Sequence, residues 1–287
     1  MSDPAATIAV CPICPHHCRL KEGEAGFCRA RANQGGTVRS LSYGKLTSAA
    51  LDPIEKKPLY HFRPGSAIFS VGTFGCNLRC PFCQNYTISQ AGADGFSGSP
   101  LAMEKARPED VVRAASRLAR EAGNIGVAFT YNEPLVGFEF VRDTASLLRE
   151  ADLAVVLVTN GQIESGLWER LLPLVDAANI DLKGFTQDFY DWIGGDLETT
   201  KEAIRLAAVR GVHVEVTTLV IPTKNDSREE MDAEGAWLAS ISPEIPLHLS
   251  RYFPCYRTEI PGTPVETLQG LRAVAQKHLR RVHLGNV

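Results

Sequence analysis

The sequence predicts an α/β fold, a partial (β/α) barrel with a small N-terminal cysteine-rich metal-binding unit. Three observations carry that expectation. Short apolar runs alternate with segments whose apolar residues recur every three or four positions, the pattern of parallel β/α units. The first of those runs leads straight into a loop holding three cysteines. Each later run ends in unusual polar residues, and in a parallel barrel all such ends fall on one face.

Composition sets the outer bounds. The chain has 287 residues, 44% of them hydrophobic, and a formal net charge of −3. That balance is ordinary for a soluble globular protein and gives no sign of a nucleic-acid-binding surface. No segment has the roughly 20 apolar residues that span a bilayer. The stretch MSDPAATIAVCP lacks a basic region followed by a long apolar one, so a cytoplasmic protein is expected. Seven of the eight cysteines fall in two tight clusters, which in that compartment read as metal binding rather than disulfides.

Residues 1–66 read as a separate unit. Cys11, Cys14, Cys18 and Cys28 form a C-x2-C-x3-C-x9-C array, and a glycine-punctuated turn can bring Cys28 back to the others. Four thiolates suit a closed zinc site or a second iron–sulfur cluster. The spacing departs from paired zinc knuckles, while the scarcity of apolar helix favours a structural metal that supplies folding energy. His16 and His17 are spare donors. TVRSLSYGKLTSAALD alternates enough for one or two short strands.

Residues 67–287 carry the barrel. Strands are expected at residues 67–71, 125–130, 154–159, 177–182, 213–221 and 246–250, with a last one in RRVHLGNV. Helices are expected between them, the clearest being VVRAASRLAREA, announced by Pro108, Glu109 and Asp110. The strand ends then collect GTFGCNLRCPFCQN, TYNEP, VTNG, DLKG, IPTKND and HLSRYFPCYR.

Cys76, Cys80 and Cys83 stand in a C-x3-C-x2-C pattern within a loop flanked by Gly72 and Gly75 and containing Pro81. Such a loop curls and turns its thiolates toward one centre. Thiolates select zinc, copper(I) or iron–sulfur clusters, and three local ligands fall one short of a closed zinc site. A cluster with one iron left open is the expected reading. Asp181 and Lys183, two apart, share one side of their strand. Cys255 stands alone and reads as a small buried hydrophobe, with a hydrogen-atom donor or ligand role as the alternative.

The motifs CPICPHHC…GFC, DPIEKKPLYHF, GTFGCNLRCPFCQN, TYNEP, DLKGF and LVIPTKND together resemble the radical SAM superfamily. Within it the chain is most similar to the AmmeMemoRadiSam family, a relative of pyruvate formate-lyase activating enzyme. The resemblance implies that Cys76, Cys80 and Cys83 hold a 4Fe–4S cluster whose open iron chelates S-adenosylmethionine (SAM). It implies that Phe82 packs near the adenine and that Glu133 holds the methionine amino group. Tyr131 and Asn132 replace the two glycines that usually precede this acid. Asp181 and Lys183 would sit beside the methionine carboxylate, with Thr159 and Asn160 lining the pocket. Val158 stands where activases commonly carry aspartate, which removes a ligand from any monovalent cation site. His248 and Arg251 are candidates for contact with substrate or the adenosyl group.

The expected function is reductive cleavage of SAM to a 5′-deoxyadenosyl radical that takes hydrogen from a substrate, either a protein glycine as in glycyl-radical-enzyme activases or a small molecule or another macromolecule. An electron donor such as flavodoxin or ferredoxin is the expected partner, with neither nucleic acid nor membrane. The competing class is a non-catalytic iron–sulfur or zinc protein, structural or electron-carrying, which would need neither TYNEP nor DLK.

Overall fold

The computed structural model describes residues 8–287 apart from 93, 97 and 98. Short strands come first: β1 (Ala9–Val10) pairs with β2 (Arg19–Leu20), and β3 (Arg31–Gln34) with β4 (Thr37–Ser40). β5 (Lys45–Leu46) pairs with the later β8 (Glu104–Lys105). The main sheet begins with β6 (Ser48–Pro53) and β7 (Ala67–Gly72). It continues through β9 (Asn124–Phe129), β10 (Ala154–Thr159), β11 (Ala177–Asp181), β12 (His213–Val220), β13 (Leu247–Arg251) and β14 (Val282–Gly285). These eight strands lie in the order β6-β7-β9-β10-β11-β12-β13-β14. All neighbours are parallel except β6, which runs antiparallel to β7 at one edge. The sheet does not close, so the barrel is partial.

Among the described residues the helices are α1 (Tyr86–Ser89), α2 (Pro108–Ala122), α3 (Phe138–Glu150), α4 (Ser165–Leu171), α5 (Gln187–Ile193), α6 (Leu197–Val209), α7 (Arg228–Ile241) and α8 (Val265–Ala275). Their starts follow local chemistry. Pro108 opens α2 while the Asp110 carboxylate accepts from Arg107 N at 2.9 Å, and Gly123 ends the helix at φ 65°. Asp196 and Ser227 cap α6 and α7 by accepting from Thr199 N and Glu230 N. The two helices not expected from periodicity, α1 and α5, are four and seven residues long. Segments that short hardly register a 3.6-residue pattern.

Across the expected boundary at residue 66, β6 pairs with β7 along its whole length. Residues 54–66 then run as a strap inside the barrel. Ile54 and Leu59 are fully buried against Ile68, Ala128, Val156 and Ala177 of the sheet's inner face. Irregular backbone in such a place must find partners for its polar groups. Glu215 of β12 supplies them by accepting from Tyr60 N (3.1 Å) and His61 N (2.7 Å), and Asn179 of β11 donates to Pro58 O at 2.9 Å. The same Glu215 carboxylate takes hydrogen bonds from His213 and His248, and His61 meets His283 at 2.9 Å.

The cysteine-rich segment before β6 is also bound to the barrel. Arg31, 2% exposed, makes a two-pronged contact with Glu139 of α3 at 2.7 and 2.6 Å and donates to Val136 O. Ile13 O accepts from Glu164 N at 2.9 Å.

Glu215 is buried, which alone would raise its pKa. Hydrogen bonds from His213, His248 and the strap outweigh burial and hold it at about 2. Its contribution is therefore complete above the ordinary carboxylate value and is lost as pH falls toward 2. Burial also depresses His61 and His283, which favours the folded state above their ordinary value of 6.5 and weakens it below. Anaerobic thermal melts should therefore show falling stability from about pH 6.5 downward. Glu215→Gln, which leaves strap amides facing an amide nitrogen, should cost about 1–3 kcal/mol at neutral pH and flatten the acid limb of that curve.

Candidate active site

The C-terminal ends of β7, β9, β10 and β11 surround a cavity of about 330 Å³. Its lining includes Cys76, Cys80, Cys83, Phe82, Tyr131, Asn132, Glu133, Thr159, Asn160, Asp181 and Lys183, so most of the candidates converge on one space. His248 and Arg251 do not line it. His248 occupies the same inward row as Asp181 and Thr217, through the pairings Asp181↔Thr217↔His248, but its ring turns to Glu215 at 2.6 Å. Arg251 donates to Thr263 O at 2.7 Å and covers the Phe253 ring. Cys255 is also off the cavity, with its thiol 3.7 Å from Cys83 O.

The cysteine loop is held by side chains from neighbouring strand ends. Asn132, 8% exposed, accepts from Thr73 N at 2.9 Å and donates to Gly75 O at 3.0 Å. It braces the loop with its side chain, a role that motif matching could not supply. Asn160 Nδ2 reaches Asn77 Oδ1 at 2.9 Å and Cys76 Sγ at 3.6 Å. Cys83 Sγ lies 3.0 Å from Ser89 Oγ of α1. Burial pushes the Cys80 thiol up to about 12, with the Lys183 ammonium pulling the other way, and also raises Cys76 well above the ordinary thiol value. Positive charge at the loop would deprotonate them.

Glu133 is 3% exposed. Its carboxylate accepts from Leu135 N (2.9 Å), Thr159 Oγ1 (2.8 Å) and Asn160 N (2.8 Å). Burial nonetheless raises its pKa to about 7. Lys183 Nζ and Asp181 Oδ2 form an ion pair at 2.8 Å. Burial opposes the ammonium, but Asp181 and the Cys80 thiol outweigh it and raise its pKa. Phe82 is 3% exposed and packs against Phe189 and Trp192.

The opposite wall holds residues that the sequence motifs contained but did not assign. Lys56 and Lys57 line the cavity with Thr217, Ser250 and Asn286. The Lys57 side chain is 3% exposed and pairs with Asp52 at 2.9 Å. The Tyr131 hydroxyl donates to the same carboxylate at 2.7 Å, and Lys57 Nζ stands 4.6 Å from the Tyr131 ring centre. The adjacent pair K-K in DPIEKKPLYHF was the available signal. Nothing in its spacing said that the strap would place it at the cavity.

An open parallel barrel with three thiolates and a carboxylate–ammonium pair at its C-terminal mouth defines a cofactor-dependent α/β barrel enzyme. The chain belongs to the radical SAM superfamily, whose family model matches residues 70–234. It is 42% identical to an uncharacterized protein of Methanocaldococcus jannaschii over 96% of this chain and 81% of that one. It is 30% identical to the pyruvate formate-lyase-activating enzyme of Clostridium pasteurianum over 55% of this chain and 63% of that enzyme. Among solved structures, a radical SAM methyltransferase from Sphaerobacter thermophilus superposes with a TM-score of 0.60 at 18% identity, covering 78% of this chain and 67% of that one. Membership implies a 4Fe–4S cluster and SAM. The donor set fits both: three soft thiols face one cavity, and no fourth cysteine lines it. Among the described residues no helix is long and apolar enough to cross a membrane.

Asn132→Ala should leave Thr73 N without its buried partner and Gly75 O with only the longer bond from Glu133 N at 3.4 Å. The expected cost is about 1–3 kcal/mol in anaerobic denaturant titrations, with a lower yield of reconstituted cluster.

Proposed function

We propose that this chain cleaves SAM reductively and directs the resulting radical at a substrate held in the same cavity. When bound, the cluster and SAM supply one-electron cleavage of a C–S bond to methionine and a 5′-deoxyadenosyl radical. The observation that carries the reading is the convergence of Cys76, Cys80, Cys83, Glu133, Asp181 and Lys183 on one cavity. A protein that merely holds metal has no use for the last three.

Cys76, Cys80 and Cys83 are assigned as cluster ligands. Glu133 has one carboxylate oxygen with a single partner, Asn160 N, so it can accept a further bond from the methionine ammonium. Lys183, fixed by Asp181, presents its positive charge toward the methionine carboxylate. Thr159 and Asn160 hold Glu133 in place, and Phe82 supplies an apolar wall for the adenosyl group. Cys11, Cys14, Cys18 and Cys28 are assigned as a second metal-binding set. The physiological reductant is a one-electron carrier of the flavodoxin or ferredoxin kind. Similarity to an activating enzyme favours a protein substrate, and the two lysines and Tyr131 across the cavity are the residues left to meet it.

Anaerobic reconstitution with dithionite and assay for 5′-deoxyadenosine tests the reaction. Cys80→Ala should abolish that product and the cluster's spectroscopic signal while circular dichroism still reports a folded barrel, because the ligand lies on a loop. Cleavage that survives in this variant overturns the proposal. Glu133→Ala and Lys183→Ala should each weaken SAM binding by about 1.5–3 kcal/mol with the cluster intact. Unchanged SAM affinity in both would remove the assignment of the methionine site.

A further inference from the structure

The strap brings two adjacent lysines, Lys56 and Lys57, to the wall of the cavity. Their place is fixed by the residues around them. Ile54 and Leu59, both fully buried, pin the backbone on either side, and Lys57 N donates to Ile54 O at 2.9 Å. Both side chains converge on one carboxylate. Lys57 Nζ stands 2.9 Å from Asp52 Oδ2, and Lys56 Nζ stands 3.4 Å from Asp52 Oδ1.

A brace for the turn at Tyr131 does not account for this arrangement. One ammonium is enough to neutralise Asp52. Two share it here, so the trio keeps a net positive charge. The Lys57 ammonium can donate three hydrogen bonds, yet among the described residues it has a single partner, Asp52 Oδ2. That oxygen is itself shared, since it also accepts from the Tyr131 hydroxyl at 2.7 Å. The Tyr131 ring, its centre 4.6 Å from Nζ, offers a π face and no lone pair. A buried ammonium is costly unless its N–H groups are matched, and burial depresses the Lys57 pKa even beside Asp52. The unmatched donors belong to a residue that lines the cavity.

SAM gives these lysines nothing to bind. It carries one anionic group, the methionine carboxylate, and Lys183 is assigned to that. The cavity also offers neutral donors beyond the methionine site. Ser250 Oγ accepts from Asn286 Nδ2 at 3.0 Å and keeps its own O–H to donate. Positive charge with spare N–H groups, in a cavity that holds further hydroxyls, suits an anion.

We infer that the substrate of this cavity carries an anionic group, a carboxylate or a phosphate, and that Lys57 and Lys56 bind it. The inference rests on the proposed radical function for calling the ligand a substrate, though not for the anion site itself. Asp52 acts as a positioning residue: it holds both ammonium groups at the wall and offsets part of their charge.

The test uses the full chain, reconstituted anaerobically and saturated with SAM so that Lys183 is engaged. Inorganic phosphate and glutarate are the probes, each titrated in by calorimetry. One equivalent of at least one probe should bind, and the tighter of the two names the group. Lys57→Met should weaken that binding about tenfold or more, and Lys56→Ala about threefold. Lys56, whose side chain is 68% exposed, carries the test should Lys57→Met not fold, which circular dichroism reports. Asp52→Asn should instead strengthen binding, because the lysines lose the negative charge they share. A bracing role alone predicts no such gain. Failure of both probes to bind overturns the inference. So does binding that is unchanged in the folded lysine variants, or weaker binding in a folded Asp52→Asn. A chain that binds a probe through these lysines yet yields no 5′-deoxyadenosine would sink the proposed function and leave the anion site standing. One that yields 5′-deoxyadenosine and binds neither probe does the reverse.

Discussion

The cluster loop has no hydrogen-bond ladder of its own, and everything at the barrel mouth depends on how it is seated. Its backbone groups are taken up one by one: Thr73 N by Asn132, Gly75 N by Ile88 O, Asn77 O by His16, Arg79 N by Ile193 O and Pro81 O by Arg257 N. Each partner comes from a different part of the chain. The loop can thus hold three thiols toward a cavity only once β9, β10, α1 and the N-terminal segment have docked around it. Cysteine placement is a product of tertiary structure here, although the cysteines are neighbours in sequence.

That dependence explains which features were legible beforehand. Buried parallel strands are continuous apolar runs, so Ala154–Thr159 and its neighbours could be read with almost correct ends. Residues at strand ends inherit their place from the strand, which is why Glu133, Asp181 and Lys183 could be put at one mouth. His248 shows the limit. It was a candidate for contact with substrate or the adenosyl group, but whether an inward histidine faces a cavity or a buried carboxylate depends on Glu215, one strand away. The strap was less legible again. Residues 54–66 have neither period, and their seat inside the barrel is dictated by Glu215 and Asn179, over a hundred residues later in the chain.

Charge follows the same logic. Burial raises the thiols of Cys76 and Cys80 in one set and of Cys11, Cys14 and Cys28 in the other, Cys14 to about 12 and Cys28 to about 11. Metal bound at the barrel-mouth loop would exchange protons for cations, and Lys183 beside Cys80 would offset the negative charge of its thiolates, while Arg31 stands beside Cys11 and Cys28 in the other set. Both cations are themselves paired with carboxylates, Asp181 and Glu139. Each is held in position by that pairing.

Tyr131 joins these constraints at one point. Its φ of 72° is unfavourable for a residue with an aromatic side chain, and Asn132 N closes a three-residue turn on Thr130 O at 3.0 Å. Strain of that kind costs about 1–3 kcal/mol and persists only where the surroundings enforce it. They do so from two sides. Asp52 and Lys57 hold the ring's far end and face, while Gly72 leaves room for it: a Cβ there would lie 3.0 Å from the ring and 2.9 Å from Thr130 O. Asp52 belongs to the antiparallel edge strand and Lys57 to the strap, so the turn is fixed by the same segment that fills the barrel. Asn132 and Glu133 follow immediately in sequence, and the angle at which they enter the site is set by this turn. The strap thereby acts on the cluster loop at a distance, through Tyr131 to Asn132 and from Asn132 to Thr73 and Gly75.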